Sequence, residues 1–234
     1  MMENKNEGVC RFCLKTFADS AMGRHLLACK VKKERDEQEA AHAQKKYPIF
    51  YIKVSGSKYY WLHIEMKGTA KLTDLDSFLR NIWLECCGHL SSFTINGVEY
   101  QDTTYKDDWD NLWGGREIRP TTTTLSKVLN VGDKFDYAYD FGTTTYLEGK
   151  VLGVREGVLK KPVRILARNS PYTFECEECG KQATDICMEC GSFFCEQCLA
   201  NHECGDEMAL PVVNSPRMGV CGYTGDYDFD DFSI

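Results

Sequence analysis

The apolar residues divide this chain into a patterned middle and two polar, cysteine-rich ends. Pro48 opens an alternating stretch, and residues 47–54 and 59–66 are dense in aromatic and β-branched side chains. That composition predicts two strands, with Ser55-Gly56-Ser57 as their hairpin turn. Over residues 71–87 the period changes: Leu72, Leu75, Phe78, Leu79, Ile82, Trp83 and Cys86 recur at helical spacing, a stripe that packs on a sheet. Cys86 then belongs to the buried face of this helix and Cys87 to its end, and neither is expected as a ligand. Segments 92–95 and 98–100 flank Asn96-Gly97, a strong hairpin signal. Thr121 to Thr124 precede a short helix over 125–129. Strands are expected at 134–140 and 144–154, joined by Phe141-Gly142, with 163–167 closing the sheet. The fold class is therefore α+β: a central mixed sheet with a packed helix over 47–170, flanked by small modules.

The flanks lack enough apolar residues for cores of their own. Residues 31–44, VKKERDEQEAAHAQ, are polar all round and rich in helix formers, so they read as a solvated helical rod carrying an exposed His42. Asp107, Asp108 and Asp110 surround Trp109 in a loop expected to be solvated rather than to bind cations. The tail, 222–234, alternates acids with Tyr227, Phe229 and Phe232, a composition of disorder or of docking onto a basic groove.

Cysteine spacing supplies the cohesion these ends need. Cys176/Cys179, Cys187/Cys190, Cys195/Cys198 and His202/Cys204 form four ligand pairs, enough for two tetrahedral zinc ions. The second pair arrives before the first site can close, so the economical wiring is interleaved. Cys176, Cys179, Cys195 and Cys198 hold one ion, and Cys187, Cys190, His202 and Cys204 the other. One residue between His202 and Cys204 is cramped, and Cys221 is an alternative to Cys204. At the other end Cys10, Cys13, His25 and Cys29 have the spacing of a single finger, with His25 and Cys29 one helical turn apart, Phe17 and Leu26 as its small core and Ser20 as helix cap. About three structural zinc ions are thus expected. Thirteen cysteines in this pattern suit thiolate ligation in a reducing compartment better than a disulfide framework.

Charge separates the ends further. The net charge of −7 is spread as +3 over residues 1–46, +1 over 47–170 and −11 over 171–234. A phosphate backbone is repelled by the C-terminal part. No apolar run approaches the roughly 20 residues that span a bilayer, and the first residues lack the apolar core of a signal peptide, so a cytoplasmic protein without membrane contact is expected.

The zinc pattern at 176–204 resembles B-box modules and, more loosely, MYND and HIT fingers, which mainly bind proteins. Within the central region YYWLHIEM, TDLDSFLRNIW, HLSSFTING (89–97) and YAYDFG (137–142) resemble the plasmid pRiA4b ORF-3-like family. This resemblance implies a compact α+β domain from bacterial or mobile-element genomes and carries no assigned activity. In that family Asp and a Trp-x-His stretch commonly follow DFG, whereas Thr143 to Tyr146 stand here. Asp140 reads as a turn acid, facing solvent or capping nearby amides. No phosphate loop, dinucleotide fingerprint or nucleophile elbow occurs, and His63, His89, Asp136 and Asp140 are the only central candidates for acid–base work. The resulting expectation is a zinc-binding interaction or scaffolding protein with no catalysis. It divides into a C2HC finger with helical linker (1–46), the α+β domain (47–170), a two-zinc module (171–221) and the tail. A protein partner is expected; the alternatives are a nucleic-acid-binding regulator using the finger and an enzyme with a central site.

Overall fold

The computed structural model describes residues 6–41, 43–57, 59–104 and 117–225. His42, the 107–110 acids and the aromatic tail residues lie outside them. The central hairpin is β3 (Tyr47–Gly56) and β4 (Tyr60–Lys67), in register from Ile49 opposite Lys67 to Gly56 opposite Tyr60. Next come helix α3 (Leu72–Leu79), β5 (Ser91–Ile95), β6 (Val98–Gln101), β7 (Ile118–Pro120) and α4 (Leu125–Val128). Strands β8 (Lys134–Tyr139), β9 (Thr145–Gly157) and β10 (Val163–Asn169) complete the middle. Asn96 and Gly97 both take positive φ, 50° and 78°, as the tight β5–β6 turn requires.

The N-terminal segment is not a separate flank. Its strands β1 (Glu7–Cys10) and β2 (Thr16–Ala18) extend the same sheet, whose order is β2-β1-β10-β4-β3-β9-β8-β5-β6-β7. Strand β10, expected to close the sheet, is instead interior to it, between β1 and β4. The β6–β7 pair is parallel and the other pairs are antiparallel, so the sheet is mixed.

Alternation sorts the side chains of β3 and β4 onto two buried faces. Ile52, Val54, Leu62, Ile64 and Met66 join the main core with α3. Tyr51 and Trp61 face the other way, toward a second cluster containing Met22, Leu26, Cys10 and Cys29. That second layer is the finger itself, through α1 (Asp19–Ala28). Its N-cap is Ala18, with Ser20 inside the first turn, so the expected serine cap is not made. Beyond α3, the helix widens into a π-helical turn over Arg80–Leu84, closed by the Glu85 N–H donating to the Arg80 carbonyl at 2.9 Å. The expected helix to 87 therefore stops at 84, and Cys86 and Cys87 lie past its end.

The solvated rod is also corrected. The first helix ends at Ala28, Cys29 is extended, and α2 (Lys30–Ala41) starts afresh. Lys32, Asp36 and Glu39, at helical spacing on one face, meet Glu65 of β4, Arg155 of β9 and Arg164 of β10. Lys32 Nζ lies 2.8 Å from Glu65 and 2.7 Å from Asp36. Arg155 forks onto both Glu65 oxygens at 2.9 Å, and Arg164 reaches Asp36, Glu65 and, at 3.1 Å, Glu39. Arg35 adds a further pair to Glu39 at 3.3 Å, so the layer is sealed by charge where an apolar stripe would ordinarily do it. Burial alone would raise the Glu65 carboxyl; Arg155, Lys32 and Arg164 outweigh it and hold the pKa at about 2.

Beside this network His63 is buried, its Nδ1 2.6 Å from the Tyr51 hydroxyl, and burial, with Lys53 adding to it, lowers its pKa from 6.5 to about 3. A neutral buried imidazole binds fewer protons than the unfolded one between those values, so acid favours unfolding there. Stability is predicted to decline as pH drops below about 6.5, with a slope of up to about 1.4 kcal/mol per pH unit from this group. Chemical denaturation at pH 7.5 and 5.5 should show a larger decline in the wild type than in His63→Gln; equal declines would remove His63 as the cause. Glu65→Gln, which leaves Lys32, Arg155 and Arg164 to share Asp36 and Glu39 with one buried negative charge too few, should cost about 3–5 kcal/mol at neutral pH.

Candidate metal centres

Three of the CxxC segments fold into the same turn. In each, the first cysteine's N–H donates to the carbonyl five residues on: Cys10 to Lys15 at 3.0 Å, Cys176 to Lys181 at 2.7 Å and Cys187 to Ser192 at 2.9 Å. In each, the amide four residues on returns to the first cysteine's carbonyl, from Leu14, Gly180 and Gly191. That returning residue needs positive φ, which glycine supplies twice at no steric cost and Leu14 (58°) at about 1–2 kcal/mol. The turn points both sulfurs to one side. In the fourth segment Cys195 instead precedes the short helix α5 (Glu196–Leu199), which carries Cys198.

The ligand atoms of Cys10, Cys13, His25 and Cys29 all lie within 4.8 Å of one another. So do those of Cys176, Cys179, Cys195 and Cys198, and those of Cys187, Cys190, His202 and Cys204. The grouping of the last eight is interleaved, and Cys204, not Cys221, completes its set. A three-stranded sheet holds the two sets together: β11 (Asp185–Cys187) lies between β12 (Phe193–Phe194) and β13 (Ala209–Pro211).

The spacings match a tetrahedron. Metal–ligand bonds of about 2.3 Å to sulfur and about 2.0–2.1 Å to nitrogen imply S···S edges of about 3.8 Å and S···N edges of about 3.6 Å. Cys179 and Cys195 sulfurs are 3.7 Å apart; Cys13 lies 3.3 Å from His25 Nε2 and Cys190 3.4 Å from His202 Nε2. All thirteen cysteines are free thiols. Aromatic rings orient the imidazoles: Phe17 stacks on His25 at 3.8 Å and Phe194 packs on His202 at 4.2 Å.

Protonation of the thiols fits a cation-shaped hole. Burial acts to raise Cys176, but the amides of Cys195, Cys179 and Glu178 overcome it and lower its pKa to about 6. The Ser192 amide, against burial, brings Cys190 to about 7. Their neighbours move oppositely: Cys179 and Cys195 push Cys198 up to about 12, and burial with Cys187 pushes Cys204 up to about 11. Three or four thiols this close cannot all ionise beside one another; a dication at the centre removes the conflict.

The four central acid–base candidates do not converge. His89 Nδ1 is 3.6 Å from Asp140, whereas His63 sits against Tyr51 and Trp61, and Asp136 is exposed on β8. Of the two roles expected of Asp140, capping a nearby amide holds and facing solvent does not: it accepts from the Gly142 amide at 3.0 Å and from the buried Arg217 guanidinium at 2.7 Å. That arginine lies in the stretch after β13, which is largely bound to the central domain. Ser215 donates to the Trp83 carbonyl at 2.5 Å, Asn214 and Asn169 pair at 2.7 Å, and Pro216 fills the space that a Cβ on Gly56 would occupy. Cys221, carried by this strap, stands beside Cys86, Cys87 and His89, a juxtaposition foreshadowed only by the short C-C-x-H run.

No protein-family model and no curated protein matches the chain. A solved structure, a protein of unknown function from Methanosarcina mazei Go1, is similar to it at 16% identity and a TM-score of 0.45, over 59% of this chain and 78% of that one. No helix among the described residues is long and apolar enough to cross a membrane.

Cys187 is fully buried at the meeting of β11 and its metal set, so Cys187→Ser should remove one equivalent of bound metal. It should also make residues 171–211 protease-sensitive while the central sheet persists, because ion binding and folding of so small a unit are one equilibrium. Elemental analysis with limited proteolysis checks this; an unchanged metal content would exclude Cys187 as a ligand.

Proposed function

We propose that the protein is a zinc-held interaction scaffold whose C-terminal module receives a basic segment of a partner protein. The observation that carries the reading is a surface groove of about 610 Å³ on that module. It is lined by Cys190, His202 and Cys204 of one ligand set, by Cys198 of the other, and by Glu177, Glu178 and Glu203. Metal loading would therefore set the groove's shape, and the −11 charge of residues 171–234 would select its occupant. Resemblance to B-box modules supports the same role, and resemblance of the middle to the plasmid pRiA4b ORF-3-like family supports a bacterial or mobile-element setting.

Zinc suits the donor sets: four soft thiolates in one and three with an imidazole in the other two, four protein ligands per ion and no position left for substrate. No catalysis is proposed. The finger's helix turns Met22 and Leu26 onto the sheet, which favours a structural over a groove-reading role for it and supports protein rather than nucleic acid as the partner. Free thiolates in this number suit a reducing cytoplasm.

Full-length protein purified from its own cells should retain a basic protein partner that dissociates as salt rises and is missing from Cys187→Ser. Enrichment of nucleic acid instead, or an equal set of bound proteins with the variant, would overturn the assignment.

A further inference from the structure

The strap that returns to the central domain ends in a cluster none of the three expected sites uses. The ligand atoms of Cys86, Cys87, His89 and Cys221 lie within 4.8 Å of one another. Cys87 is 3.7 Å from Cys221 and 3.5 Å from Cys86, while His89 Nε2 is 3.2 Å from Cys87 and 3.3 Å from Cys221. These are again tetrahedral edges, and far too long for the roughly 2.05 Å of a disulfide. We infer that this is a fourth metal site, taking a thiophilic divalent cation such as zinc and pinning the strap to the central domain.

Three further features support the assignment. Local backbone geometry brings the ligands together: the π-helical turn delivers the chain to Glu85, whose carboxylate accepts from the Gly88 amide at 2.6 Å, and Gly88 at φ 75° turns His89 back toward the two preceding thiols. Cys221 also takes positive φ, 51°, an unfavourable conformation for a side-chain-bearing residue and one that ligation would offset. The imidazole is furnished with an outer partner: Asp140 lies 3.6 Å from Nδ1, on the side opposite the sulfurs, and is itself held by Arg217 at 2.7 Å. At that distance the carboxylate acts on the imidazole through its charge rather than through a hydrogen bond, favouring a positively polarised ring such as a ligating one. Finally, the sequence is fully used. With this set included, the four clusters contain every one of the thirteen cysteines and three histidines, sixteen ligands for four tetrahedra.

The site differs from the others in exposure. Each of the other three sets has at least one buried ligand; this set has none, Cys87 and Cys221 being exposed and Cys86 and His89 half-buried. Its ion should therefore exchange first, releasing the Cys221 end of the strap while Ser215 and Arg217 keep the rest seated and the three remaining ions stay. The fourth ion is independent of the groove assigned above, so each assignment can fail alone.

The test is native mass spectrometry and elemental analysis of full-length protein purified with reductant, comparing wild type with Cys221→Ser and Cys87→Ser. Each variant should hold one ion fewer than wild type, and a chelator should remove one ion before the rest, together with proteolytic opening near residues 218–225. Cobalt substitution gives a second readout: the thiolate-to-cobalt absorption per protein should fall by about a quarter in either variant. Should one variant fold poorly, the other and the wild-type chelation sequence still decide. Equal metal content in wild type and both variants, or recovery of Cys87 and Cys221 as a disulfide from reduced preparations, would overturn the assignment.

Discussion

Short chain segments with too few apolar residues can be rigid only if something other than a core fixes them. Here that constraint is met by sulfur and imidazole gathered to tetrahedral spacing. The C-terminal module has a buried cluster of little more than Cys176, Cys187, Phe194 and Cys195, so its ligands are its core. Its three-stranded sheet is too small to persist in water without that clasp. The finger solves the same problem in two ways, by its ligand set and by laying Met22 and Leu26 against Tyr51 and Trp61 of the sheet.

The ends are thereby joined to the middle in different manners. On one face of the sheet, α2 is sealed by an ion-pair network centred on Glu65, with Arg155 and Arg164 as forks and Lys32 between. On the other side of the fold, the strap after β13 is locked by Arg217 against Asp140 and by Ser215 against Trp83. Both attachments rest on buried polar contacts, which demand specific geometry and penalise misdocking more than apolar packing does. A chain built this way couples its distant segments: the 86–89 loop and Cys221 are neighbours only when the strap is seated.

How much of this was legible follows from the range of each signal. CxxC pairs are local, so the three ligand sets and the interleaved grouping could be read from spacing and order. Alternation in β3 and β4 and the Asn96-Gly97 turn were equally local. What stayed hidden is nonlocal. Residues 31–44 carry no apolar stripe, so hydrophobic periodicity could not reveal that Lys32, Asp36 and Glu39 face buried partners on three strands. The apolar period ran on to Cys86, but the π-helical turn at Arg80–Leu84 shifted the phase and carried Cys86 and Cys87 off the helix. Cys221 seemed an understudy for Cys204 because both follow His202; only the path of the strap separates them.

Metal ligation by cysteine is the claim beneath all of these features, and zinc K-edge X-ray absorption on the intact, reduced protein tests it most directly. The account predicts a four-coordinate first shell with sulfur at about 2.3 Å outnumbering nitrogen, in a ratio near 13 to 3. A first shell dominated by oxygen or nitrogen at about 2.0–2.2 Å, or protein that folds fully with no bound metal, would contradict it.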